Sequence, residues 1–108
     1  MSVLDWFKDS APESHSQAPI VERAAQLALY EKDWCPYCER VKSVIKELGL
    51  HIQLCDIGQP EHLQALMQGG GQRMVPCLRI ESEPGQYFWL YESADIIAYL
   101  RLHASVLK

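Results

Sequence analysis

Two cysteines separated by two residues, Cys35-Pro36-Tyr37-Cys38, are the part of this sequence best equipped for chemistry. Thiol–disulfide exchange needs a thiolate attacker and a second thiol near enough to resolve the mixed disulfide. A C-x-x-C spacing at the start of a helix meets both needs. Unpaired backbone N–H groups and the positive end of the macrodipole favour an anion there. Pro36 suits the first helical position, because its missing N–H would be unpaired in any case. Cys38, one turn further in, lies on the same face as Cys35 and is expected to be less exposed. Cys35 is therefore the expected attacker and Cys38 the resolving thiol.

Zinc is the competing use of this spacing. A structural zinc takes four ligands, usually two Cys pairs or a Cys pair with two His. The other cysteines, Cys55 and Cys77, stand alone in expected strands, and His15, His51, His62 and His103 show no ligand spacing. Redox work is the better reading, with no metal or prosthetic group expected. The bland alternative is a pair of buried inert thiols. Pro36-Tyr37 speaks against it, because that dipeptide suits an exposed loop-to-helix junction.

The flanking pattern supplies the elements that must position the pair. Leu27-Ala28-Leu29-Tyr30 is a short apolar run suited to a buried strand. Val41, Val44, Ile45 and Leu48 recur at helical spacing, and Gly49 follows as a stop signal. From His51 to Ile57 a second strand is expected, with Ile52 and Leu54 on its apolar face. Leu63, Leu66 and Met67 mark a helix over Glu61 to Gln68, closed by Gly69-Gly70-Gly71. Cys77 to Ile80 and Tyr87 to Leu90 read as a hairpin around Glu83-Pro84-Gly85-Gln86. A last helix begins near Ser93. The order β-α-β-α-β-β-α predicts a parallel pair first and an antiparallel pair late.

Composition bounds the rest. The chain has 108 residues, 48% hydrophobic and 22% charged, which fits one domain. A formal net charge of -4 gives no reason to expect nucleic-acid or anionic-membrane binding. No run of about 18 apolar residues predicts a membrane span. The start, with Asp5 and Asp9 around Trp6 and Phe7, lacks the basic-then-apolar pattern of a signal peptide, so a cytoplasmic location is expected. Residues 1–26, with Pro12, Pro19 and four serines, read as an N-terminal extension, partly helical or disordered, with Ser10 to Ala18 as linker. The cluster Val3, Leu4, Trp6 and Phe7 could dock on the domain of residues 27–108 or on a second copy, and a monomer or weak dimer is expected.

Tyr30-Glu31-Lys32-Asp33-Trp34-Cys35-Pro36-Tyr37-Cys38 resembles the active-site segment of dithiol glutaredoxins. Gly71-Gln72-Arg73-Met74-Val75-Pro76 resembles their second signature, and Tyr91-Glu92-Ser93-Ala94-Asp95-Ile96 matches the third in position. The resemblance spans about Leu27 to Leu102 and implies an α/β thioredoxin fold with a mixed four-stranded sheet. It implies a glutathione-dependent thiol–disulfide oxidoreductase with glutathione as co-substrate and with disulfide-containing or glutathionylated proteins as partners. Residue by residue, it makes Cys35 the nucleophile and sets Lys32 toward the glutathione glycine carboxylate. It places Tyr37 beside the thiol, and Val75, before an expected cis Pro76, along the glutathione backbone. Glu92, Ser93 and Asp95 fall at the γ-glutamyl end. At the least, Ser93 caps the last helix and Asp95 complements its dipole.

The third signature departs from the usual glutaredoxin form. Glu92-Ser93 is similar to the N-terminal domain of glutathione transferases, which makes a transferase-like enzyme the first rival. Such enzymes add a helical domain, for which a chain ending at Lys108 is expected to have no room. An iron–sulfur carrier or an adaptor is the second rival. Cluster-bridging relatives tend to carry a small residue where Pro36 stands. Arg73 could meet the glycine carboxylate or simply be solvated, and Cys55 and Cys77 read as small core residues.

Overall fold

The structure, a computed structural model, describes residues 18–107. Leu27–Glu31 (β1) is apolar almost throughout because both of its faces are covered; all five residues are buried. Leu27 and Leu29 point to one side, and Ala28 and Tyr30 to the other. The remaining elements are α1 (Pro36–Glu47), β2 (Gln53–Asp56), α2 (Pro60–Gly69), β3 (Cys77–Glu83), β4 (Gln86–Tyr91) and α3 (Ser93–Leu107), with a 3-10 turn at Ala24–Gln26 before β1. The expected order therefore holds throughout. The strands stand in the order β2-β1-β3-β4, with β1 and β2 parallel and the other pairs antiparallel. This is the thioredoxin fold in its minimal form.

The sheet is covered unequally. On one face, Val41 and Ile45 of α1 and Ile96, Tyr99 and Leu100 of α3 close over Leu27, Leu29, Leu78, Ile80 and Leu90. On the other face α2 packs with Val75, Trp89 and Tyr91 against Ala28, Tyr30, Cys55 and Cys77, and Leu66 is the one fully buried side chain of α2. Burying a leucine of that kind contributes roughly 1.5–3 kcal/mol. Cys55 and Cys77 are thus core residues, as expected.

Two details differ from the sequence reading. Leu54, expected on the buried face of the second strand, is 48% exposed, while Cys55 is buried. The cause is the strand's place at the sheet edge, where the helical cover above Leu54 ends. Ser93 is not the cap of the last helix. The Ile96 N–H bonds the Glu92 carbonyl at 3.0 Å, so the cap position falls to Glu92, and Ser93 is the first helical residue.

The segment just before β1 is packed onto the domain. Ala18 and Val21 join the larger core, and the Tyr99 hydroxyl donates to the Pro19 carbonyl at 2.6 Å. The cluster Val3, Leu4, Trp6 and Phe7 lies outside the described residues. Among the described residues, no helix is long and apolar enough to cross a membrane.

Candidate active site

The loop after β1 turns sharply into α1. Trp34 adopts φ 61 there, a left-handed conformation, and its indole is 96% exposed. Cys35 follows as the N-cap in extended conformation, with Pro36 opening the helix. The Cys35 sulfur accepts a hydrogen bond from the Cys38 backbone N–H at 3.2 Å. It therefore stands where a serine or aspartate side chain would normally satisfy an unpaired helix donor. Glu39 in the first turn and Lys46 in the last both suit the helix dipole.

The expected ranking of the two thiols holds. Cys35 keeps 6% of its surface exposed and Cys38 none. The openness expected of this junction belongs to Pro36 and to Tyr37, which is 60% exposed, while the Cys35 thiol itself is sheltered. Burial first, and then the bond to Cys35, push the Cys38 thiol up to about 12. A sulfur in that state stays protonated at neutral pH, which fits a resolving thiol better than an attacking one. All four cysteines are free thiols.

A cleft of about 280 Å³ is lined by Tyr37, Met74, Val75, Pro76, Tyr91, Glu92 and Ser93. Three stretches distant in sequence meet here: the start of α1, the loop before β3, and the junction of β4 with α3. The Val75–Pro76 peptide bond is cis. Glu92 adopts φ 76, an uncommon conformation for a residue with a side chain, at the turn that starts α3. Of the binding residues expected from the sequence, Tyr37, Val75, Pro76, Glu92 and Ser93 share this cleft. Lys32 is exposed on the loop after β1, and Asp95 is half-buried in the first turn of α3; neither lines the cleft. Met74 and Tyr91 line it without having been singled out as binding residues. Their adjacency to Val75 and Glu92 was the available signal.

Tyr91 also fastens the loop that carries Val75. Its hydroxyl donates to the Gln72 carbonyl at 3.2 Å, and it lies against Cys77. The ring packs so closely on the end of α2 that a Cβ at Gly70 would collide with the Tyr91 hydroxyl. Gly70 is therefore a close-approach position as well as a helix end. A larger hollow of about 560 Å³, lined by residues such as Ile45, Leu50, His51 and Leu54, lies between α1 and β2. Neither hollow is lined by a cysteine, but the smaller cleft takes in Tyr37, which stands between Cys35 and Cys38. Among the described residues, no group of three or more His, Cys, Asp or Glu could hold a metal ion.

Residues 29–105 match the family model of the glutathione S-transferase N-terminal domain. The chain belongs to that family. Within it, this domain resembles glutaredoxins in both sequence and shape. It is 36% identical over 56 residues to a glutaredoxin of Pseudomonas aeruginosa, covering 50% of this chain and 66% of that protein. Wheat glutaredoxin superposes with a TM-score of 0.58 at 23% identity, over 92% of this chain and 97% of that one. A buckwheat glutaredoxin–glutathione complex superposes at 0.57 and 22% identity, over 80% and 84%. The chain spans 54% to 66% of the length of the first curated relatives it matches.

Proposed function

We propose that this domain is a glutathione-dependent thiol–disulfide oxidoreductase that works in the cytoplasm on glutathionylated and disulfide-containing proteins. The observation that carries this reading is the Cys35 sulfur as the N-cap of α1, bonded to the Cys38 N–H at 3.2 Å, at the head of a helix whose second thiol is fully buried. Helix N–H groups and dipole favour negative charge on that sulfur. Cys35 attacks the glutathione sulfur of a protein–glutathione disulfide, which releases the protein thiolate and leaves Cys35 bonded to glutathione. A second glutathione thiolate then attacks the Cys35-bound glutathione sulfur, giving oxidised glutathione and free Cys35. Alternatively Cys38 attacks the Cys35 sulfur, closes the Cys35–Cys38 disulfide and expels glutathione.

The cleft supports glutathione as the partner. Backbone groups of Val75 beside a cis proline suit antiparallel pairing with a peptide, as in other extended-peptide sites. The N–H groups that open α3, next to Glu92 and Ser93, suit the γ-glutamyl carboxylate. Tyr37 would pack on the tripeptide, Lys32 would reach its glycine carboxylate from the loop, and Asp95 would face its ammonium. The test is glutathione-dependent reduction of a small glutathione mixed disulfide. Cys35→Ser should abolish turnover, and Cys38→Ser should retain it. Undiminished turnover by Cys35→Ser would end this reading.

The family model and Glu92-Ser93 favour a second reading, transfer of glutathione to an electrophile. A conjugation assay with an activated aryl halide separates the two. Rapid conjugation without disulfide reduction selects the transferase.

A further inference from the structure

The hollow of about 560 Å³ between α1 and β2 takes no part in the chemistry described above, and its make-up suits a particular occupant. Its floor is core: Ile45, Leu50 and Ile52 belong to the same apolar cluster as Leu29 and Leu78. Leu54, 48% exposed, continues that apolar lining. Among the described residues, Lys42, Lys46 and His51 line it and no carboxylate does. Lys42 is already held by Glu31 and Glu39, at 3.0 and 2.8 Å. Lys46 and His51, both exposed, are therefore the groups placed to meet an incoming negative charge. β2 runs along the hollow as an edge strand, and its Gln53, Leu54 and Cys55 include no charge or proline of the kind that guards such edges. Natural sheets cover an unguarded edge with a helix or a loop.

We propose that this hollow seats the chain's own N-terminal segment, with Val3, Leu4, Trp6 and Phe7 on the apolar floor and Asp5 and Asp9 toward Lys46 and His51. The segment itself lies outside the described residues, and three observations select it.

Composition is the first. Four large apolar side chains fall within five residues, and the stretch from Ser10 to Gln17 is polar apart from Ala11 and Pro12, so the cluster has no apolar partner of its own nearby. Charge is the second. Residues 1–17 carry Asp5, Asp9 and Glu13 against Lys8, three acids less one lysine, a side-chain charge of -2 facing a hollow lined by lysines. Connectivity is the third. The register Ala28↔Gln53 sets the start of β1 beside the start of β2, so the chain enters the sheet at the end where Leu50 and Ile52 stand. Ala18 and Val21 already join the same apolar cluster as those two residues. The path from Ala18 back to Phe7 is eleven residues, which reach at most about 36 Å, well over twice the roughly 13 Å radius of gyration of a domain this size. A tether of that length holds the segment at an effective concentration in the mM range. A second copy of the chain would have to outcompete it from free solution.

The experiment is NMR on the isotopically labelled full-length protein, with labelled and unlabelled chains mixed so that contacts within one molecule are told from contacts between two. Nuclear Overhauser contacts are expected from the Trp6 and Phe7 rings to the methyl groups of Leu50, Ile52 and Leu54, within one molecule and unchanged on dilution. Trp6→Ser/Phe7→Ser should speed amide exchange along Gln53–Asp56 by about tenfold, the ratio that an effective concentration of about 1 mM gives a contact with an intrinsic Kd of about 0.1 mM. Exchange in α2 and β4 should stay at the parent rate. Lys46→Glu should weaken the ring-to-methyl contacts, and Asp5→Lys/Asp9→Lys added to it should restore them, a rescue that a general loss of stability would not show. Lys46 is exposed, so this pair of variants carries the test if the Trp6 and Phe7 double variant fails to fold. Absence of the contacts overturns the proposal, as do contacts to the exposed Leu102 and Val106 of α3 in their place. Contacts found only between labelled and unlabelled chains overturn it in favour of a second copy, and a Lys46→Glu effect that charge exchange does not repair overturns it too.

Discussion

Gly70→Ala sets two physical effects against each other. Gly70 has φ -84 and ψ -29, right-handed helical values that alanine adopts without strain. Backbone entropy alone then predicts stabilisation by about 0.4–1 kcal/mol. Packing predicts the opposite. The new Cβ would collide with the Tyr91 hydroxyl and lie 3.1 Å from both Tyr91 Cζ and the Leu66 carbonyl oxygen. The Leu66 oxygen is backbone and cannot retreat, so the Tyr91 ring must. Overpacking of this kind costs about 1–3 kcal/mol. The net expectation is a loss of about 1–2 kcal/mol, roughly 4–16 °C in Tm for a domain of this size. Calorimetry or thermal circular dichroism reads it directly. Tyr91→Phe removes the nearest colliding atom, so the cost of Gly70→Ala should shrink by at least about 0.5 kcal/mol in that background. Because Tyr91 ties down the Gln72 carbonyl, KM for the glutathione mixed disulfide should rise more than kcat falls. A Gly70→Ala protein as stable as its parent, or a cost unchanged by Tyr91→Phe, would refute the reasoning.

Other expectations concern the packing around the site. Tyr99→Phe removes the 2.6 Å bond to the Pro19 carbonyl and should cost about 0.5–1.5 kcal/mol, with faster hydrogen exchange concentrated at residues 18–26. Burial pushes the Cys77 thiol, as well as Cys38, from 9.0 up to about 12, so between those values the folded state holds protons that the unfolded chain has lost. Stability should therefore be intact below about pH 9 and fall as pH rises toward 12, and Cys77→Ala should flatten that slope in urea titrations at successive pH values. Trp34→Gly should leave Tm unchanged or raise it, since the indole is 96% exposed and glycine adopts φ 61 freely. A lower Tm would show that the indole packs on the domain.

Much of this site was legible before any coordinates, because its first part is local. Four consecutive residues specify a thiol as N-cap, a proline at the first helical position and a second thiol one turn in. None of that depends on distant contacts. The order of elements follows equally from short-range periodicity, with the apolar run of β1, the helical spacing of Val41 and Ile45, and the hairpin at Pro84-Gly85 each readable within a dozen residues.

What tertiary structure alone decided is which distant residues share a space and how much water reaches them. The cleft joins Tyr37, Val75 and Glu92 across more than fifty residues of chain, and it includes Met74 and Tyr91 but not Lys32 or Asp95. Leu54 lost its expected burial because sheet order put β2 at an edge, a fact that no alternation along one strand encodes. The cap of α3 moved from Ser93 to Glu92 because the path of the preceding turn selects which carbonyl accepts the first helical bond. Glu31 reads in sequence as an ordinary acid at a strand end. Only the seating of α1 on β1 buries it against Lys42 of that helix.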